Sequence, residues 1–393
     1  MLTIDAEHCT GCRACEQICP KNCIDMQSDK DGFLYPQIHT DACVNCRLCE
    51  KICPIEQDIC QDLPTPRVFA AYLRDQKRLQ KSASGGMFPA LAESILRQGG
   101  TVYGCAWNAD MKAEAIRIDN FKQMECIQGS KYVESDTGHT FSQVQKDLKD
   151  GRTVLYTGTP CQIAGLRSFL RDQDTAKLLT ADLICHGVPS ITFFQDYLRT
   201  LHGKPVVDFQ FRDKTTQGWG YQIQYRYQKG GRCRTVWKSD SLSAYYYFFL
   251  KGMPCRKSCY TCKYANCSRA GDFTIGDFWG VQHFYPDVPT KQGVSALLIN
   301  SQKAQDYFEK IKESLIFWES DLQKVTASNG QLLSPTCLTA QRDQLLNIWH
   351  KSGFKGVYCM FDKEVGKKRY LKYMAKKVLT PKVRKRLKSL LQK

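Results

Sequence analysis

Eight cysteines fall into one spacing used twice: Cys9-x-x-Cys12-x-x-Cys15-x-x-x-Cys19-Pro20, then Cys43-x-x-Cys46-x-x-Cys49-x-x-x-Cys53-Pro54. Three cysteines set two residues apart curl around one corner of a cube, so that three thiolates reach three irons, and the turn-prone Gly11 lets the backbone fold close. The fourth thiolate must come from elsewhere. Tetrahedral zinc also draws on Cys-x-x-Cys pairs, but a doubled register in which each run closes in Cys-Pro favours two 4Fe-4S clusters. Cys23 and Cys60 fall outside the register and read as ordinary small thiols, buried or partly buried.

The doubled run resembles that of two-cluster bacterial ferredoxins, in which the Cys before Pro ligates the other cluster. The resemblance implies that Cys9, Cys12, Cys15 and Cys53 hold one cluster and that Cys43, Cys46, Cys49 and Cys19 hold the second. Crossing of this kind staples the repeats together and brings the clusters within electron-hopping range. Between the runs, Ile24 to Met26 and Phe33 to Pro36 alternate as short strands do, with Asp31-Gly32 as the turn.

Other segments also carry chemistry. Lys81-Ser82-Ala83-Ser84-Gly85-Gly86-Met87 leads into a helix, where free N–H groups make a phosphate or pyrophosphate cradle; a plain capped turn is the simpler reading of the same residues. Cys161, in Tyr156-Thr157-Gly158-Thr159-Pro160-Cys161-Gln162, and Cys185, in Leu183-Ile184-Cys185-His186-Gly187, each follow an apolar strand and precede a helix, where α/β sheets place ligands. Cys255-x-x-x-Cys259-x-x-Cys262 follows, with Cys267 after it. Cys259 and Cys262 with Cys161 and Cys185 would complete a third cluster; Cys255 or Cys267 could replace one of them, and a zinc knuckle within the segment is the alternative. His186 reads as structural rather than as a catalytic acid.

The elements that position these residues follow from periodicity. Gln61 to Arg67 is a Pro-bearing linker after a small domain of residues 1–60. Strands are expected at Val68 to Leu73, Thr101 to Ala106, Thr153 to Thr157 and Leu179 to Cys185, and helices at Met87 to Arg97, Gln162 to Leu170 and Ile191 to Leu201. After Gly203 shorter strands appear, Val206 to Phe211 and Tyr221 to Tyr227, and past Ser301 the chain reads as mostly helical. The fold class is therefore α+β: a small two-cluster ferredoxin-like domain, a larger mixed α/β domain in two parts (68–202 and 203–345), and a basic helical tail (346–393).

An odd count of 21 cysteines, and a start without a charged or apolar leader, argue for a reducing, cytoplasmic setting and against a disulfide framework. No apolar run approaches the roughly 18 residues of a membrane span. Of the net charge of +17, twelve Lys/Arg lie from Lys367 onward with no acid among them. The tail is thus either a basic amphipathic helix for the inner face of an anionic membrane or an acidic partner, or a solvated, fraying helix. No motif for nucleic acid accompanies it.

Lys81 to Gly86, Gly129-Ser130-Lys131-Tyr132, Gly158 to Gln162, Ile184 to Pro189 and Gly276-Asp277-Phe278-Trp279 together resemble the beta subunit family of coenzyme F420 hydrogenases and dehydrogenases. The resemblance implies an oxidoreductase with FAD, in which flavin exchanges a hydride with the deazaflavin coenzyme F420 and single electrons with 4Fe-4S clusters. It implies that Ser84, Gly85 and Gly86 hold the FAD phosphates, with Ser130, Lys131 and Tyr132 near the cofactor. Cys-His-Gly-Val-Pro-Ser and Gly-Asp-Phe-Trp-Gly look like the bacterial branch, so another organic hydride donor or acceptor stands beside F420. No Gly-x-Gly-x-x-Gly fingerprint supports a nicotinamide site. A redox partner protein or ferredoxin is expected. A non-catalytic electron-carrier subunit, or a reductive step in a pathway such as surface polysaccharide assembly, are the alternatives.

Overall fold

The computed structural model describes residues 7–59, 63, 65–201 and 204–378, with side chains described as far as residue 366. Cys60, the linker residues Gln61, Asp62 and Pro64, the boundary at Gly203 and the end of the basic tail lie outside the described residues.

In the amino-terminal part, β1 (Ile24–Ser28) and β2 (Leu34–Ile38) pair antiparallel, Ile24 opposite Ile38. Asp29 builds the turn between them: its carboxylate accepts from the N–H groups of Asp31 and Phe33, both at 2.9 Å. Such Asx turns favour Asp over apolar residues.

The larger part is built on eight strands: β3 (Arg67–Leu73), β4 (Thr101–Trp107), β5 (Ala113–Ile118), β6 (Val154–Gly158) and β7 (Leu178–Leu183) come first. Three strands, β8 (Val206–Gln210), β9 (Gln222–Lys229) and β10 (Arg232–Ser239), then form a separate antiparallel sheet, after which β11 (Phe273–Asp277), β12 (Ser295–Ile299) and β13 (Leu315–Ser320) return to the first. The main order is β13-β3-β12-β11-β7-β6-β4-β5, parallel from β4 through β6 and β7 to β11 and antiparallel on both flanks. This is a mixed α/β sheet. Its central strands are buried on both faces, as the apolar runs Val68–Leu73 and Ala296–Ile299 require.

One face is covered by helices Met87–Arg97 and Gln302–Ile311. The other packs on helices Thr140–Lys149 and Pro160–Phe169, and Cys12, Ala14 and Ile52 of the amino-terminal part join that second core. A third core, rich in Phe and Tyr, fills the space between the small sheet, helices Ile191–Arg199 and Ala244–Leu250, and the start of the last helical segment, Gln341–Val378, which is interrupted at Gly353 and Gly366.

Past Ser301 the chain is mostly helical, as expected, except that Leu315–Ser320 forms edge strand β13 against β3. Phe317 packs edge-on to Phe69 and Trp318 lies by Tyr72, contacts that favour a pleated surface over a helix. Strand β5 and helix Thr140–Lys149 also stand where the sequence reading assigned no element.

Candidate functional site

Cys9, Cys12, Cys15 and Cys53 line one cavity of the amino-terminal part, and Cys19, Cys43, Cys46 and Cys49 line a second. The backbone that makes this possible is strained at matching points: Arg13 and Arg47, each the residue after the second cysteine of its run, adopt left-handed φ of 63° and 59°. Cys23 also lines the second cavity, its sulfur 3.4 Å from that of Cys19, a position its place outside the repeat does not announce.

Cys161, Cys185, Cys259 and Cys262 converge at the carboxyl edge of the main sheet. Cys161 is the second residue of helix Pro160–Phe169, which Pro160 starts without wasting a donor and which Gln162 caps by accepting from the Thr159 N–H at 3.1 Å. Cys185 follows β7, the hydrogen-bonded neighbour of the β6 strand that leads to Cys161. The thiols of Cys161, Cys185 and Cys262 influence one another electrostatically, as do those of Cys259, Cys185 and Cys161. Cys255 borders the group beside Cys259 and Cys185, whereas Cys267 is turned away and donates to the Leu332 carbonyl at 3.2 Å.

Two devices hold these loops. Arg269 pairs with Asp182 at 2.9 Å, both side chains almost wholly buried, and donates to the carbonyls of Leu183, Tyr264 and Asn266, so the Cys259–Cys267 loop is tied to the strand that carries Cys185. Gly187 has φ +91°, and a Cβ there would lie 2.9 Å from the Cys255 sulfur. Only glycine combines that backbone with that approach.

Burial pushes the Cys12 thiol up to about 12 and that of Cys185 to about 11; Cys161 and Cys259 are also raised, burial being the largest cause. Thiols so placed give up protons only to a strong local positive charge, which a multi-iron centre supplies. All-sulfur donor sets in protein-lined cavities fit 4Fe-4S clusters. Among the described residues, no three His, Cys, Asp or Glu side chains are gathered tightly enough to hold a single metal ion.

The first cavity abuts the sheet-edge group. A Cβ on Gly165, in the helix headed by Cys161, would come within 2.9 Å of the Cys12 sulfur. The buried Tyr264 feels the thiols of both groups, Cys161 and Cys262 and also Cys12 and Cys53, and its hydroxyl donates to the Pro54 carbonyl at 2.9 Å.

The proposed flavin residues divide into two patches on the same carboxyl edge. Ser84 donates to the Val294 carbonyl at 3.0 Å and the Gly85 N–H to Ser295 Oγ at 2.9 Å, while a Cβ on Gly85 would lie 2.2 Å from the Ala71 carbonyl oxygen. Ser84 and Gly85 are thus stitched into the sheet, and the donors left for an anion belong to the first turn of helix Met87–Arg97, which Gly86 enters with φ +83°. Lys131 donates to the carbonyls of Cys126, Gln128 and Gly129 at 3.1–3.3 Å, locking its own loop beside Ser130. Tyr132 stacks on Phe249, whose ring meets that of His186 next to Cys185. The His186 ring lies 3.2 Å from the Leu250 carbonyl and 2.8 Å from Gln331, as a structural histidine would.

Arg212 and Lys214, which sequence reasoning missed, bridge the two patches. Arg212 donates to Tyr132 at 2.9 Å and pairs with Asp277 at 2.7 Å; Lys214 donates to the carbonyls of Ser84 at 2.9 Å and Gln292 at 2.5 Å. Burial, then the Arg212 charge, lowers Lys214 to about 7. Trp219 donates to Asp277 at 2.8 Å and stacks on Trp279 at 4.6 Å. A helix start beside Lys214, which burial and the Arg212 charge push toward neutral, and Arg212, whose charge is shared with Asp277, still offers donors to an anionic group such as a diphosphate. The signal was Arg212-Asp213-Lys214, three charges just after strand β8 and Phe211.

Residues 151–325 match the family model for the carboxy-terminal part of the coenzyme F420 hydrogenase/dehydrogenase beta subunit, and residues 8–56 match a 4Fe-4S dicluster domain. Among solved structures, a chain of the F420-reducing NiFe hydrogenase complex from Methanosarcina barkeri is similar at 16% identity, covering 77% of this chain and 94% of that one, with a TM-score of 0.43. No curated protein matches.

Proposed function

We propose that this chain, which carries a 4Fe-4S dicluster segment ahead of a coenzyme F420 hydrogenase/dehydrogenase beta-subunit segment, is an iron–sulfur flavoprotein oxidoreductase. In this reading electrons enter or leave at the Cys19/Cys43/Cys46/Cys49 group, pass the Cys9/Cys12/Cys15/Cys53 group, and cross to Cys161, Cys185, Cys259 and Cys262. The observation that carries it is the contact of Cys12 with the helix that Cys161 heads. Support at the outer end is the exposure of Cys46, which lets a redox partner protein or ferredoxin approach.

FAD, when bound, would supply the exchange between single electrons and a hydride. The chain's own part is to receive the diphosphate at the Gly86–Met87 turn near Lys214, with Ser84 and Gly85 shaping that turn, and to set Tyr132 between that site and His186. Ser130 and Lys131 shape the loop that presents Tyr132. Coenzyme F420, or another organic hydride donor or acceptor, would meet the flavin at this edge. The small domain is taken to end near residue 60, and the larger one to span 68–345 with its two parts meeting near 203. Among the described residues no helix is long and apolar enough to cross a membrane; contact of the basic tail with a membrane surface belongs to the proposal.

Anaerobic purification with iron, sulfide and flavin analysis tests this reading. About twelve irons and one flavin per chain are expected; zinc in place of iron, or clusters without flavin, would contradict it in its cluster or its flavin half respectively.

A further inference from the structure

We propose that Arg256 raises the reduction potential of the cluster at Cys9, Cys12, Cys15 and Cys53 and fixes that cluster against the loop of the third thiol group; the inference rests on the electron-transfer reading above. Arg256 lies between Cys255 and Cys259 in sequence, and its side chain is 1% exposed. Its Nε donates to the Cys9 carbonyl at 2.8 Å, one Nη donates to the Leu34 carbonyl at 2.6 Å, and the same Nη lies 3.8 Å from the Cys9 sulfur. The other Nη pairs with Glu134 at 2.5 Å. The guanidinium lies over the Tyr35 ring at 4.2 Å.

A buried arginine without partners would be an unexplained cost; here its side-chain hydrogen bonds go to Cys9 and Leu34 of the small domain and to Glu134, and its backbone N–H to the Val188 carbonyl. The backbone bond to Cys9 fixes where the first cluster sits relative to the Cys255–Cys262 loop. The N–H aimed at sulfur acts on the electron itself. Reduction adds one electron to the cluster and breaks no bond, so the change is an increase in negative charge beside a fixed cation in a poorly screened interior. The cation stabilises the reduced form more than the oxidised one, and hydrogen bonds to cluster sulfurs are among the determinants of potential. No equivalent arginine appears at the cavity of Cys19, Cys43, Cys46 and Cys49 among the described residues, where Arg47 is exposed and pairs with Glu50.

Removing Arg256 alone would strand Glu134, so the test compares Glu134→Gln with the double variant Glu134→Gln/Arg256→Met. Full-length, iron-loaded proteins are titrated with dithionite under argon while low-temperature paramagnetic resonance follows each cluster, the outer signal being identified as the one lost in Cys19→Ser. At a fixed poise the reduced-to-oxidised ratio of the inner cluster is expected to fall about tenfold in the double variant, which is 59 mV for one electron, with the outer signal unmoved. An unchanged inner ratio or an equal shift of the outer cluster would each overturn the proposal; if the double variant loses about four irons, Glu134→Gln/Arg256→Gln, which keeps a hydrogen-bond donor for the Cys9 carbonyl, takes its place with the same two outcomes. Absence of iron from the wild-type protein would instead overturn the functional reading on which it rests.

Discussion

The two amino-terminal thiol groups arise from one cysteine pattern used twice, yet the fold treats them differently. Cys9, Cys12 and Cys53 are 7–8% exposed and are walled in by Arg256, Tyr264 and the helix that Cys161 begins. Cys46 is exposed, with Val44 and Leu48 open beside it. Each cavity takes three thiols from one run and the fourth from the other; tertiary surroundings decide what the cavity can do. A walled-in group suits relay between centres, and an open one suits exchange with a partner.

The largest effect expected from this contrast is on iron content. Cys53→Ser should remove about four irons and the same resonance signal that Cys9→Ser removes, whereas Cys19→Ser should remove the signal that Cys43→Ser removes; Cys53→Ser losing the Cys43→Ser signal instead would break the crossed grouping. Next is Asp182→Ala, which leaves Arg269 buried without its carboxylate. We expect a loss of about 3–5 kcal/mol, read by denaturant unfolding, because the pair ties the Cys259–Cys267 loop to β7. Gly165→Val drives a side chain into Cys12 and should destabilise by about 1–3 kcal/mol, with slower electron transfer between the first and third groups in a flash-reduction experiment. At the exposed end, Asp25→Asn removes the His39 pair, in which both side chains are more than half exposed, and should change stability by at most about 1 kcal/mol. A larger effect there would mean that the outer group is not the loosely held one.

The three close-set cysteines of each run were legible because they are local, whereas the crossed fourth thiol came from the likeness to two-cluster ferredoxins. The strand-end positions of Cys161 and Cys185 needed only that β6 and β7 be neighbours. Helix Met87–Arg97 has the same residues that periodicity assigns it, bounded by Gly86 and the Gly99-Gly100 pair. What stayed hidden depends on distant partners. Arg212, Arg256 and Arg269 belong to a residue type expected at the surface, and each is buried by groups 65 to 247 positions away. Edge strand β13 was masked by the helical segments around it, since its partner β3 lies some 240 residues earlier. Cys23 looked incidental because nothing in its spacing reveals that β1 starts against the second cavity.

The relay itself is tested most directly by mixing the oxidised, iron-loaded chain with a reduced ferredoxin in an anaerobic stopped-flow instrument and freezing samples for resonance spectra. The account predicts that in the wild type the electron reaches the Cys161/Cys185/Cys259/Cys262 centre, while in Cys53→Ser it halts at the outer one. Equal reduction of the third centre in both proteins would contradict the path through the inner group.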